Sequence, residues 1–217
     1  GLSVAGTAEK PVRFVRADSG SPWGGVAFRG GGAVGTLEGM ELAGASAVAG
    51  ETGIAFEVDG GAKVTLRSCR LHDFPGFALE VAGGSELVVQ DSLIENCVGA
   101  IHADGSYLLL ERTTVRGVGG DSIRMDGEST PRSVVRDCIV EDNADDDGFD
   151  IGGASHLIEN VIVRGIAAGN AISVDLACAP TFRGVLVHDS LWGFVIKDGC
   201  NATIEHCTVT RCERGLY

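Results

Sequence analysis

The sequence predicts an all-β solenoid, a parallel β-helix of about eight coils with 21–28 residues each. Glycine-led segments recur at a nearly fixed period. Apolar and polar residues alternate inside each period, and equivalent positions of successive periods carry the same kind of side chain.

The segments open at Gly53, Gly76, Gly99, Gly120, Gly148, Gly169, Gly193 and Gly215, in steps of 23, 23, 21, 28, 21, 24 and 22 residues. A looser copy begins at Gly25, in "GVAFRGGGAVGTLEGMELAG". Aligned by their second halves, the copies give one apolar column of Leu66, Val89, Leu110, Val135, Ile158, Phe182 and Ile204. A second column is Leu71, Ile94, Val115, Val140, Val163, Val187 and Val209. A third, following the opening glycine, is expected through Phe56, Leu79, Ile123, Ile151, Ile172 and Ile196. Alternation with period two puts such a column on one side of a strand.

A copy of about 22 residues holds two or three short strands and leaves no room for a crossover helix. Stacked coils, each pairing with the next about 4.8 Å away, turn each apolar column into an interior ladder. A leucine-rich repeat would need an L-x-x-L-x-L frame with an Asn ladder, which is absent.

An apolar fraction of 44% over 217 residues supports one folded domain, 1–217, read as a fragment of a longer chain with additional domains. The formal net charge of -13 repels phosphate backbones, so no nucleic acid partner is expected. No apolar run reaches the length of a membrane span.

The seven cysteines show neither CxxC pairs nor zinc spacing. Cys69, Cys138 and Cys207 fall on one inward column, where a thiol packs as a small apolar group. Cys178 and Cys200 share another small-residue column on neighbouring coils, and whether they pair stays open.

The densest chemistry is "DNADDDGFDI", with Asp145, Asp146, Asp147 and Asp150 beside the longest step. An enlarged turn favours Asp, Asn and Gly on conformational grounds alone. Crowded carboxylates otherwise call for a hard cation such as Ca2+, which takes six to eight oxygens. A third reading makes two of them the acid and base of a glycoside hydrolase. Counting from the opening glycines, Arg124, Asp150, Ser173 and Lys197 should form one polar strip on an outer face. Arg124 and Ser173 are the expected substrate contacts there, and Trp192 is positioned to stack on a sugar ring. Glu57 and Glu80 read as an outward pair, with Arg67 as their counter-charge.

"GTAEKPVRF" at 6–14, "WGGVAF" at 23–28, and the later "DDDGFDI", "NAISV" and "GFVIKDGC" make the whole chain resemble a single-stranded right-handed parallel β-helix of the pectate-lyase-like superfamily. It is most similar to β-helix regions of secreted or cell-surface bacterial proteins without an established activity. That resemblance implies a secreted or surface location and a polysaccharide or cell-surface glycan as partner. "DDDGFD" also resembles the calcium-binding segment of one pectate-lyase family. Carried over, this makes Asp146, Asp147 and Asp150 cation ligands and Lys197 the base, with Asp150 beside it at the reaction centre. The expected function is therefore a carbohydrate-associated domain binding an extended, acidic polysaccharide on an outer face, through a cation. A calcium-assisted lyase acting on uronate polymers and a non-catalytic scaffold are the alternatives.

Overall fold

The computed structural model describes residues 1–17, 23–45 and 53–217, and every regular element in them is a β-strand. Each full coil contributes three strands, each paired in parallel with its equivalent in the coils before and after. The first stack runs through Leu2–Ala5, Val34–Glu38, Lys63–Arg67 and Glu86–Gln90 to Thr203–Glu205, nine strands in strict succession. A second stack includes Thr114–Val118, Ile139–Asn143 and Ile162–Ile166. The third includes Ile123–Asp126, Phe149–Gly152, Asn170–Asp175 and Trp192–Ile196. In two coils the second and third strands run together as the twelve-residue strands Arg70–Val81 and Leu93–Asp104. The solenoid makes about seven turns, in line with the expected eight or so.

Both second-half columns align residue for residue. Leu66 pairs with Val89, Val89 with Leu110 and Leu110 with Val135. Leu71 likewise pairs with Ile94, Ile94 with Val115 and Val115 with Val140. The corner between these columns is built alike in most coils: Ser68, Asp91, Arg112, Asp137, Asn160 and His206 adopt left-handed backbone, and Gly184 does so in the coil between the last two. Asp and Asn visit that region at low cost, so in the other coils a single residue turns the chain without a glycine.

The third column departs from expectation. Ile123 pairs with Phe149, Phe149 with Ile172 and Ile172 with Phe194, whereas Ile151 and Ile196 lie in the next inward column, with Met125 and Val174. The opening glycine does not hold a constant position: Gly120 precedes Ile123 by three residues, and Gly148 precedes Phe149 by one. Two residues of the 28-residue step are this offset. The remaining extra length lies mainly across the coil, where ten positions separate Met125 from Val135 but only seven separate Ile151 from Ile158. The aspartate turn is thus only slightly enlarged.

Phe56, Phe149, Phe182 and Phe194 are fully buried, and Phe182 meets Phe194 edge to face at 5.2 Å. Outside, two faces neutralise themselves. On the first stack Arg67, Gln90, Glu111, Arg136, Glu159, Arg183 and Glu205 follow one another in register. On the second, Glu95 accepts from Arg70 at 2.6 Å and from Arg116 at 2.7 Å, and Glu141 pairs with Arg164. Arg67 therefore hydrogen-bonds Gln90 rather than serving Glu57, which Arg29 holds instead. Among the described residues no helix is long and apolar enough to cross a membrane.

Candidate functional site

The third face is different, because its outward columns are dominated by acids. One holds Glu57, Glu80, His102, Arg124 and Asp150; the next holds Asp59, Asp104, Asp126 and Asp175. Arg29, Arg124 and Lys197 offset part of this charge, at Glu57, Asp126 and Asp175.

Asn143, at the end of its strand and buried, builds the site's central turn. Its side-chain oxygen accepts the backbone N–H groups of Asp145 and Asp146, each at 3.1 Å. Its amide donates to the carbonyls of Gly120 and Asp147 and to Ser122 Oγ, at 2.6, 3.0 and 3.0 Å. One side chain thus fastens the turn to the preceding coil. Continuing the registers Ile123–Phe149, Phe149–Ile172 and Ile172–Phe194 backwards by two residues puts Asp121, Asp147, Asn170 and Trp192 in one column.

The carboxylates of Asp121, Asp146 and Asp147 offer oxygens all within 4.8 Å of one another. Of the expected ligands, Asp146 and Asp147 belong to this triad. Asp145 and Asp150 fall outside the triad, and Asp121 enters it although it stands outside the aspartate run. Asp147 Oδ1 accepts the backbone N–H of Asn170 at 2.6 Å and its side-chain amide at 2.9 Å. Burial raises the pKa of Asp147; the Asn170 N–H opposes that and Asp146 adds to it. Asp121 is pushed up to about 7 by burial and then by Asp150, Asp146 and Asp147, against the pull of Arg124. Burial and Asp175 push Asp150 up to about 6, with Arg124 pulling the other way.

Arg124, Asp150 and Ser173 do stand side by side on consecutive strands, but the fourth position of that row is Val195, which is buried. Lys197 lies two residues further on, with Nζ 3.8 Å from Asp175. The error has the same origin as the misplaced isoleucines, a count taken from the glycine. Arg124 is already engaged, 2.7 Å from Asp126, 3.8 Å from Asp121 and 3.9 Å from Asp150. Ser173 is completely buried instead of facing a polymer, and its Oγ makes no hydrogen bond. That hydroxyl is turned towards Asp147, whose ionised form it favours.

A cavity of about 370 Å³ opens beside the triad and is lined by Asp145, Asp146, Asp147, Asn170, Trp192 and Lys197. The fold thus gathers Lys197 and Trp192 with the aspartate run despite the coil between them. Trp192 forms a wall, with the Arg214 guanidinium 4.6 Å from its ring centre. Gly169 allows the close approach of the turn. A Cβ there would stand 2.4 Å from the Asp146 carbonyl oxygen and 2.7 Å from Asp147 Oδ1.

All donors at the triad are hard oxygens, and the buried Ser173 hydroxyl faces Asp147 beside them. That set fits a calcium-like cation, which Asp121, Asp146 and Asp147 would hold.

A parallel solenoid with three strands in each full coil defines the β-helix class. Residues 19–156 match the family described as "Right handed beta helix region", and the chain belongs to that family. Among solved structures it is similar to the enzymatically active domain of bacteriophage CBA120 tailspike protein 2, at 11% identity and a TM-score of 0.53. That likeness covers 86% of this chain but only 37% of the tailspike domain. The A-module of mannuronan C-5 epimerase AlgE4 from Azotobacter vinelandii is matched at 11% identity and a TM-score of 0.35, over 100% of this chain and 86% of that one. No curated protein matches the chain.

Proposed function

We propose that this domain binds an extended, acidic polysaccharide along its third face, through a divalent cation held by Asp121, Asp146 and Asp147. The observation that carries the reading is the triad itself, three carboxylates crowded on the third face beside the buried Ser173 hydroxyl. A uronate carboxylate would be repelled by this face unless a cation stood between them. The neighbouring cavity, walled by Trp192 and Lys197, offers a sugar ring an aromatic edge and its carboxylate an ammonium group. The fold suits such a role, since a tailspike's enzymatically active domain is built on a similar one. A surface or secreted location belongs to the same proposal.

Melting temperature in rising calcium, against a chelator control, tests the cation. At a hundred times its dissociation constant a ligand adds about 2.7 kcal/mol, a rise on the order of 5 to 10 °C for a domain of this size. Retention in polygalacturonate or alginate gels, with and without calcium, tests the glycan. No calcium-dependent rise together with no retention would refute the reading.

A second reading has one observation in its favour, the presence of Lys197 in the same cavity as the aspartates. Lys197 would take the proton alpha to the uronate carboxyl, making the domain a lyase. Release of unsaturated uronate by the native chain but not by Lys197→Met is the result it requires.

A further inference from the structure

We infer that Cys178 and Cys200 are a disulfide-forming pair that clamps the coil carrying Asp175 to the coil carrying Lys197. Both are free thiols here, with sulfurs 3.6 Å apart on adjacent coils. The Cys178 N–H points at Cys200 Sγ at 3.3 Å, while Asn201 donates to the Cys178 carbonyl at 2.8 Å, so backbone pairing already aligns the two residues. Stacked residues of neighbouring coils stand about 4.8 Å apart. That spacing lies within the Cα separation of about 4.4–6.8 Å that disulfides use, and the sulfurs need only close to about 2.05 Å.

The other cysteines are placed differently. The Cys69 and Cys138 thiols are buried and donate to carbonyls of their own corners, those of Arg67 and Arg136. Ser92 and Thr113 intervene between them in the column. Cys200 is only half-buried, so a dissolved reagent can reach it.

The reaction is an exchange with a small-molecule disulfide. The Cys200 thiolate attacks one sulfur of the reagent, breaking its S–S bond and releasing one thiol. The Cys178 thiolate then attacks the Cys200 sulfur of the mixed disulfide and releases the second thiol. The protein gives up two protons and two electrons, and the reagent is reduced to two thiols.

The product would lie three residues beyond both Asp175 and Lys197, whose side chains meet at 3.8 Å. A covalent tie at this corner holds the coil bearing Lys197 and Trp192 against the one bearing Asn170 and Asp175, and so fixes the far wall of the cavity. This inference does not depend on the glycan reading.

The test is to incubate the native chain with oxidised glutathione, block remaining thiols, and digest with trypsin plus a glutamyl endopeptidase. The expected product joins the peptide of residues 165–183 to that of residues 198–205, which separates Cys200 from Cys207. Its melting temperature should rise by on the order of 5 °C, reversibly with reductant. Cys178→Ser, which places a hydroxyl in a column already holding Ser85 and Ser106, should fold and show neither the link nor the rise. Full alkylation of both thiols after oxidation, a link from Cys200 to another cysteine, or a link without a rise would each overturn the inference.

Discussion

Asp147 and Asn170, opposite one another on consecutive coils, are joined twice, the carboxylate accepting both the backbone and the side-chain N–H of Asn170 at 2.6 and 2.9 Å. This contact orients one oxygen of the triad and leaves the other free for a ligand. It depends on the absence of a side chain at the preceding residue, Gly169. Gly169→Ala should push the Asp146–Asp147 backbone outwards, cost about 1 to 3 kcal/mol in overpacking, and abolish the calcium-dependent rise in melting temperature. Calorimetry with and without calcium reads both. An unchanged calcium response would mean that the triad does not bind the ion.

Asp121 predicts an exchange of stability for binding. Its folded pKa of about 7 stands above the ordinary aspartate value of 3.8, so the folded state holds its proton more tightly than the unfolded chain. Its destabilising effect is therefore full above pH 7 and fades as pH falls through the window from 7 towards 3.8. Without calcium at pH 8, Asp121→Asn should stabilise the protein by about 2 to 4 kcal/mol, measured by urea unfolding. With calcium the advantage should shrink or reverse, because the variant loses a ligand. A variant less stable than the parent in chelator would refute the proposed crowding.

Asp121 also shows what the sequence conceals. The two second-half columns were legible because every coil spends five residues between them, from Leu66–Leu71 to Ile204–Val209. The third column was not, since the corners before it vary in length and the opening glycine drifts by two positions. Aligning coils by Ile123 and Phe149 instead would have put Asp121 opposite Asp147 and moved Lys197 from Ser173 to Asp175. The aspartate run itself was visible. Its assembly with Asp121, Ser173 and Lys197 is a property of stacking, which linear spacing does not record.

His156 gives a pH dependence of opposite sign. It is 1% exposed, its Nδ1 has no hydrogen-bond partner, and burial depresses its pKa from 6.5 to about 4. Above pH 6.5 the residue is neutral in both states and costs nothing. Between 6.5 and 4 the unfolded chain gains a proton that the folded one refuses, so stability falls with pH by up to about 3 kcal/mol. His156→Leu should remove this component. The difference between parent and variant, followed by chemical unfolding from pH 7.5 to 4, isolates it from Asp121 and Asp150, whose raised pKa values act in the other direction. A constant difference would show that the imidazole is not held neutral.

The charge ladders should contribute unequally along the solenoid. Glu95 is 4% exposed, and burial raises its pKa, yet the hydrogen bonds from Arg116 and Arg70 prevail and hold it below the usual carboxylate range. Glu95→Ala leaves two arginines without their shared acceptor and should cost about 1.5 to 3 kcal/mol, the range for hydrogen bonds to charged groups. Glu205 forms a similar pair with Arg183 at 2.9 Å, but its side chain is 42% exposed. Water competes for that pair, so Glu205→Ala should cost less than about 1 kcal/mol. Raising the salt concentration should erase the Glu205 effect and preserve most of the Glu95 effect, because a buried pair is screened less. Equal losses at the two positions would mean that the ladder acts through its net charge and not through burial.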